Sequence, residues 1–155
     1  MPLKAVNLHN SYLPWNRGAD PNFWSFIEDS PKGVTIHYLD EGLDTGDIII
    51  QKEVTFKSDN ETLATTYEKL QSAIQELFKC HWEKIKTGDC DSRKQKGKGS
   101  FHKLKDKECL SHLLADGWNT RISFLEEYAA EIQMNTQFWD KYDREIEEIR
   151  NSSAC

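Results

Sequence analysis

Alternating apolar and polar residues predict three short strands in the first third of the chain. The strands are expected over residues 4–9, 34–39 and 47–56. Residues 40–46 contain two glycines and are expected to form the loop between the second and third strands. Because successive side chains of a strand point to opposite faces, residues 35, 37 and 39 should share one face of the second strand.

Apolar residues spaced by three and four predict helices between and after these strands. A short helix follows the first strand, a long one follows the third, and two more lie in the last third of the chain. The first helix starts at an N-cap carboxylate before a proline, and the second starts at a capping box. The third starts at another N-cap carboxylate. These starts involve Asp20, Pro21, Ser58, Glu61 and Asp106, and the expected ends are near Ser30, Gly88 and Gly117. The last helix is expected over residues 120–150, with an apolar stripe that packs or self-associates.

The elements predict an α/β fold in three parts. Residues 1–88 carry the strands and the long helix, residues 89–100 form a flexible basic loop, and residues 101–155 form a mostly helical region. A chain of 155 residues with 37% hydrophobic residues supports one buried core. Trp118 and Trp139 are expected to anchor the core or an interface.

Charge and cysteine content narrow the functional classes. A net charge of −6 argues against a dedicated nucleic-acid-binding face, so no DNA partner is expected. The longest apolar run, three isoleucines at 48–50, is far shorter than a membrane span. The four cysteines show no CxxC spacing, which indicates reduced thiols, a cytoplasmic protein and no metal site.

Three polar residues could perform chemistry together. Asn7 and His9 are two apart, so they should share one face at the end of the first strand. The amide can stabilise an oxyanion, and the imidazole can transfer a proton near neutral pH. Asp44, in a loop with two glycines, could orient His9 and stabilise its protonated form. This set favours direct acyl transfer to an amine, although a purely structural role is the commoner outcome for such a generic pattern.

Two longer stretches resemble the signatures of the 10-formyltetrahydrofolate-dependent formyltransferases. Residues 7–14 read NLHNSYLP and are followed by Arg17 and Gly18. Residues 33–48 read GVTIHYLDEGLDTGDI. The family includes glycinamide ribonucleotide, methionyl-tRNA and sugar N-formyltransferases, and residues 10–24 are most similar to the small bacterial sugar-type members.

The resemblance implies a fold, a reaction and a set of site residues. The fold would be the C-terminal part of a Rossmann-like formyltransferase sheet, about three strands flanked by helices, followed by a helical region. The reaction would move a formyl group from 10-formyltetrahydrofolate to a primary amine, with an amino-sugar nucleotide favoured over methionyl-tRNA or glycinamide ribonucleotide. The resemblance implies that the catalytic residues are Asn7, His9 and Asp44. It implies a folate-binding set of Asp40, Glu41, Gly42, Leu43 and Gly46. It implies a substrate-binding set of Ser11, Arg17, Gly18 and His37. For Arg17 an exposed loop position, and for His37 a role in sheet packing, are equally good interpretations.

The resemblance also implies that part of the enzyme is missing. In relatives a further stretch of α/β sequence precedes the first signature, whereas Met1 stands six residues before Asn7 here. We therefore expect little activity from this chain alone. It would be a fragment, a subunit completed by another chain, or a homodimer formed through its last helix. A non-catalytic binding or assembly module derived from such an enzyme is the alternative.

Overall fold

The computed structural model of the chain describes residues 4–57 and 59–133. Its elements in chain order are β1 (Val6–His9), β2 (Arg17–Gly18), α1 (Pro21–Ile27), β3 (Gly33–Tyr38), β4 (Ile48–Glu53), α2 (Leu63–Thr87), β5 (Phe101–His102) and α3 (Ile122–Gln133), with 3-10 helices at Leu104–Leu114 and Gly117–Asn119. The mixed α/β class and the three-stranded sheet are as predicted.

The main sheet has the order β1-β3-β4, and both of its pairings are antiparallel. The register places Asn7 of β1 opposite His37 of β3. A second, two-stranded sheet pairs β2 with β5 in parallel. The sequence did not predict this pairing, because each strand has two residues and they are far apart along the chain.

Two apolar clusters hold the elements together. One joins β3 to the middle of α2 through Val34, Ile36, Leu70 and Ile74. The other joins α1, the start of α2, the longer 3-10 helix and α3. Its fully or nearly fully buried members are Phe23, Trp24, Phe26, Ile27, Leu63, Leu110, Leu113, Ile122 and Leu125. Each such side chain contributes about 1.5–3 kcal/mol of burial free energy, so these clusters fix the helices against the sheet.

Helix α1 begins at Pro21 as predicted, but Asp20 does not cap it. Asp20 adopts a left-handed conformation with no side-chain capping bond. Its carboxylate instead pairs with Lys107 at 3.0 Å. The helix ends at Ile27, before the predicted end at Ser30. The prediction failed because an ion pair to a distant residue replaced the local cap.

Helix α2 begins at Leu63, later than the predicted capping box. Thr62 and Thr65 form the box that is present. Glu61 pairs with Lys69 at 2.6 Å, and Ser58 lies outside the described residues. The end of the helix is confirmed, because Gly88 forms its C-cap at a φ of 74°.

The helical region after β5 differs from the prediction in type. The segment with Asp106 is a 3-10 helix, and Asp106 lies inside its first turn, where its carboxylate accepts from the Lys103 N–H at 2.6 Å. Helix α3 is described as far as Gln133, and the remainder of the predicted 120–150 helix, with Trp139, lies outside the described residues. In the part of the chain that is described, no helix is long and apolar enough to cross a membrane.

Candidate functional site

The pairing of β1 with β3 places two residues of β1 next to the loop that joins β3 to β4. Asn7 and His9 lie at the end of β1, and the loop between β3 and β4 carries Asp44 to them. Asn7 Nδ2 donates to Asp44 Oδ1 at 3.2 Å, and His9 Nδ1 lies 3.6 Å from Asp44 Oδ2. The three residues predicted as catalytic are therefore neighbours in the structure.

The loop that presents Asp44 is held in a tight conformation. Asp40 Oδ1 accepts hydrogen bonds from the Gly42 N–H at 2.9 Å and the Thr45 hydroxyl at 2.6 Å. Asp44 itself has a φ of 56°, which is uncommon for residues other than glycine. A Cβ on Gly46 would lie 1.6 Å from the Tyr38 carbonyl oxygen, so no other residue fits there. The loop conformation depends on these side chains and on this glycine.

The Asp44 carboxylate is buried and is held ionised by its neighbours. Its Oδ2 accepts from the Gly18 N–H at 2.9 Å, and its Oδ1 lies 3.4 Å from His37 Nε2. Burial opposes ionisation, but His37, His9 and the Gly18 N–H together lower the pKa of Asp44 below its ordinary value. The site therefore contains a fixed negative charge at neutral pH.

His37 faces that charge from a buried position. The side chain is 1% exposed, and its Nδ1 donates to the Tyr38 carbonyl oxygen at 2.8 Å. Burial disfavours the charged ring, but the hydrogen bond to Asp44 and the Tyr38 carbonyl outweigh it, so the pKa of His37 is raised. With 1% exposure, His37 presents little surface to a substrate in this structure, and its predicted role in substrate binding stays a prediction.

His9 is kept neutral and has one basic nitrogen available. Its Nε2 lies 2.8 Å from the Asn16 carbonyl oxygen, which can only accept, so Nε2 carries the hydrogen. The lone pair of the neutral ring is therefore on Nδ1, the nitrogen that faces Asp44. Burial lowers the pKa of His9 more than Asp44 raises it. Asp44 therefore acts in the expected direction, towards the protonated ring, but burial has the larger effect on the pKa.

The amide of Asn7 is engaged within the site. Its Nδ2 is 3.2 Å from Asp44 Oδ1 and 3.3 Å from His37 Nε2. A neutral His37 accepts a hydrogen from Asn7 at Nε2, whereas a protonated His37 donates to Asp44 instead. The charge on His37 thus determines whether Asn7 has a free N–H.

The other predicted residues fall into three groups. The Gly18 N–H and the Arg17 side chain touch the site through Asp44 and through Gln95, respectively. Ser11 is buried, and its carbonyl oxygen accepts from the Thr35 hydroxyl at 2.7 Å. The loop residues Glu41, Gly42 and Leu43 are exposed to solvent beside Asp44.

A cavity of about 560 Å³ opens beside His9 and Gly18. The rings of Tyr67 and Trp118 lie 6.1 Å apart at its wall and are 41% and 58% exposed. Lys107 also lines it. Trp118 was predicted to anchor the core or an interface; it does not lie in the core, and an interface role stays a prediction. Tyr67 was assigned to the apolar stripe of α2. Only the packing of the shorter 3-10 helix against α2 reveals that these rings face a cavity.

Two further site residues were not predicted from the sequence. Asn16 orients His9 through its carbonyl oxygen, and Gln95 contacts Arg17 and the Asp44 loop. Gln95 belongs to residues 89–100, which the sequence assigns to a solvated basic linker. Within residues 4–57 and 59–133, no cluster of three or more histidine, cysteine or acidic residues could hold a metal ion.

A profile described as formyl transferase matches residues 1–79. The chain belongs to the formyltransferase family. The match covers both signatures and all three residues of the Asn7, His9 and Asp44 cluster. The resemblance stated from the two sequence signatures is therefore confirmed.

Curated formyltransferases match different lengths of the chain. A dTDP-4-amino-4,6-dideoxyglucose formyltransferase of Mycobacterium bovis is 33% identical over 111 residues, which are 72% of this chain and 47% of the relative. A methionyl-tRNA formyltransferase of Desulfotalea psychrophila is 46% identical over 70 residues, 44% of this chain and 21% of the relative. The chain thus spans about half the length of the first of these relatives.

Solved structures of the family share the fold. The formyltransferase PseJ of Anoxybacillus kamchatkensis, in complex with UDP-4,6-dideoxy-4-formamido-L-AltNAc and tetrahydrofolate, is 60% identical with a TM-score of 0.76. That match covers 78% of this chain and 64% of PseJ. An N-formyltransferase of Helicobacter canadensis, in complex with folinic acid and dTDP-3-aminofucose, is 29% identical with a TM-score of 0.61 and covers 65% of this chain and 38% of that one.

Proposed function

We propose that this chain carries the catalytic residues for transfer of a formyl group from 10-formyltetrahydrofolate to the amine of an amino-sugar nucleotide. The observation that carries the proposal is the cluster of Asn7, His9 and Asp44 beside the cavity. Family membership supports the reaction class. PseJ, a relative 60% identical over the matched part, supports the folate donor and the nucleotide-sugar acceptor.

His9 would act as the proton carrier of the reaction. The free amine attacks the formyl carbon and forms a tetrahedral oxyanion, and His9 Nδ1 takes the proton that the attacking amine loses. Asp44, 3.6 Å away, stabilises the resulting imidazolium. His9 then gives that proton to N10 of the folate as the bond from N10 to the formyl carbon breaks. The products are the formamide and tetrahydrofolate.

Asn7 would stabilise the oxyanion once one of its hydrogens is released. A protonated His37 donates from Nε2 to Asp44 Oδ1, 3.4 Å away, and no longer accepts a hydrogen from Asn7. The freed amide hydrogen can then turn to the developing oxyanion. A single donor of this kind typically contributes about 10²–10³ in rate.

The cavity supports a nucleotide-linked acceptor. Tyr67 and Trp118 offer aromatic surface for a base, and the ion pair of Lys107 with Asp20 lies within the same wall. His9 lies at the same cavity, so the amine of a sugar bound there would lie near the base that deprotonates it. The exposed loop residues 41–43 would present backbone groups to the pterin ring.

The test is a formyl-transfer assay with this chain alone and with a chimera in which it replaces the matching part of PseJ. Amino-sugar nucleotides, methionyl-tRNA and glycinamide ribonucleotide are offered as acceptors. We expect transfer to an amino-sugar nucleotide by the chimera, little transfer by the chain alone, and a loss of about 10²–10⁴ in the His9→Ala chimera. His112→Ala, an exposed histidine, is the matched control.

The outcomes separate the two candidate functions. A folded chimera that binds tetrahydrofolate but transfers formyl to none of the acceptors would favour a non-catalytic binding module. A His9→Ala chimera that keeps most of its activity would remove His9 from the catalytic role.

We also propose a cytoplasmic location, supported by the unpaired thiols of Cys80, Cys90 and Cys109.

A further inference from the structure

The segment 89–100 is attached to the sheet next to the Asp44 loop. Arg93 and Ile48 exchange two backbone hydrogen bonds, with N···O distances of 2.8 and 2.9 Å, at the start of β4. Tyr38 N–H donates to the Asp47 carbonyl oxygen at 2.9 Å just before this point. These bonds fix the backbone two residues before Gln95 against the base of the loop.

The Gln95 side chain uses its whole hydrogen-bonding capacity on the site. Its Nε2 donates to the carbonyl oxygens of Asp44 at 2.8 Å and Gly46 at 2.9 Å. Its Oε1 accepts from Arg17 Nε at 3.0 Å and Nη2 at 2.6 Å. One amide therefore connects the two signature stretches, because Arg17 lies in the first and Asp44 in the second.

We propose that Gln95 is a positioning residue that holds Asp44 in register with His9, His37 and Gly18. The consequence for rate rests on the proposed function, whereas the consequence for the geometry of Asp44 does not. Gln95 reaches the backbone of the loop on both sides of Thr45. It therefore restrains the φ of 56° at Asp44, a conformation that persists only where surrounding structure imposes it.

The contacts of the Asp44 carboxylate explain why this restraint matters. Its separations from Asn7 Nδ2, His37 Nε2 and His9 Nδ1 are 3.2, 3.4 and 3.6 Å. These distances are at or beyond the long end of hydrogen-bond geometry, so a small displacement of the loop away from these groups weakens the contacts. Asp40, which also faces His37 electrostatically, braces the loop at its other side.

Two substitutions in the full chain separate the loop contacts from the Arg17 contact. Gln95→Glu keeps an oxygen that accepts from Arg17. It replaces the NH₂ group that donates to the Asp44 and Gly46 carbonyl oxygens by a second acceptor, so those two hydrogen bonds are lost. Gln95→Met has similar length and loses both kinds of contact. Ser92→Ala, an exposed and uncharged position in the same segment, is the matched control.

The first measurement is NMR of the isotope-labelled full chain and needs no enzymatic activity. We expect Gln95→Met to lower the proton affinity of the His37 ring about threefold or more, because the hydrogen bond to Asp44 is the largest of the contributions that raise its pKa. Gln95→Glu adds a negative charge that opposes this change, so for that variant the readout is the exchange of the Gly18 amide. We also expect the Gly18 amide, which donates to Asp44 Oδ2, to exchange with solvent about tenfold faster. Loss of global stability alone would not change the His37 titration of the folded state.

The second measurement is kinetic, in the PseJ chimera. We expect kcat to fall about tenfold in both variants, with the KM for the acceptor within about twofold of its original value. The proposal is wrong if both variants keep the His37 titration and the Gly18 exchange of Ser92→Ala. It is also wrong if Gln95→Glu keeps the Gly18 exchange rate of the parent and only Gln95→Met differs, because Arg17 would then be the relevant partner. A chimera without activity would count against the proposed function and leave the NMR result decisive for Gln95.

Discussion

Replacing Asp44 by asparagine tests the charge at the centre of the site. Asparagine has the same shape and tolerates a left-handed backbone well, so the φ of 56° adds no new strain. The substitution removes the negative charge that faces His37 and His9. It also replaces one of the two oxygens that accept from Asn7 and Gly18 by an NH₂ group.

The expected loss of stability depends on pH in a defined way. A hydrogen bond to a charged group contributes about 1.5–3 kcal/mol, and we expect a loss of that size near pH 5. The folded-state pKa of Asp44 is lowered from 3.8, so its contribution is present above that value and is lost as pH falls further. The pKa of His37 is raised from 6.5, so its contribution is present below 6.5 and is lost as pH rises through the folded-state value. The difference between parent and variant should therefore be largest between these two values.

The assay is urea unfolding followed by tryptophan fluorescence at about pH 3, 5 and 8, with equal m-values as the condition for comparison. Asp47→Asn is the control, because Asp47 is half-exposed. Its Oδ1 lies 4.0 Å from Lys94 Nζ, and this surface ion pair should contribute less than about 1 kcal/mol to the free energy of unfolding. A stability difference for Asp44→Asn that is the same at all three pH values would show that the Asp44–His37 interaction does not stabilise the fold.

Three further results are expected. Gly46→Ala should destabilise the chain by more than about 3 kcal/mol in urea unfolding, because its Cβ would meet the Tyr38 carbonyl, whereas Gly88→Ala, in open space, should cost about 1 kcal/mol. In the PseJ chimera, kcat/KM should rise with pH with a midpoint below 6.5, because burial lowers the pKa of His9, and should fall again at higher pH as His37 loses its proton; a rising limb with a midpoint above 6.5 would contradict this. Trp118→Ala in the chimera should raise the KM for a nucleotide-sugar acceptor about five- to one-hundredfold at nearly constant kcat, and an unchanged KM would place the base elsewhere.

Local sequence determined the elements whose cause is local. Alternation predicted the three strands, and the glycine at position 88 predicted the end of α2, because each depends on a few consecutive residues. The start of α2 was misplaced because two capping patterns compete there. Leu63 N–H donates to the Thr120 carbonyl at 3.0 Å, and Ile122 N–H donates to the Glu61 carbonyl at 3.1 Å. These two hydrogen bonds join the start of α2 at Leu63 to the start of α3, which is far away in sequence.

By itself, the sequence predicted the three residues that the structure brings together. Asn7, His9 and Asp44 were identified from their side-chain chemistry and from two sequence signatures, without knowledge of the tertiary packing. Only the tertiary structure decided the protonation of the site, because burial lowers the pKa of His9 while close contact with Asp44 raises that of His37. It also decided that Gln95 touches the Asp44 loop. Solvation and long-range contact depend on the whole fold, so no local pattern carries them.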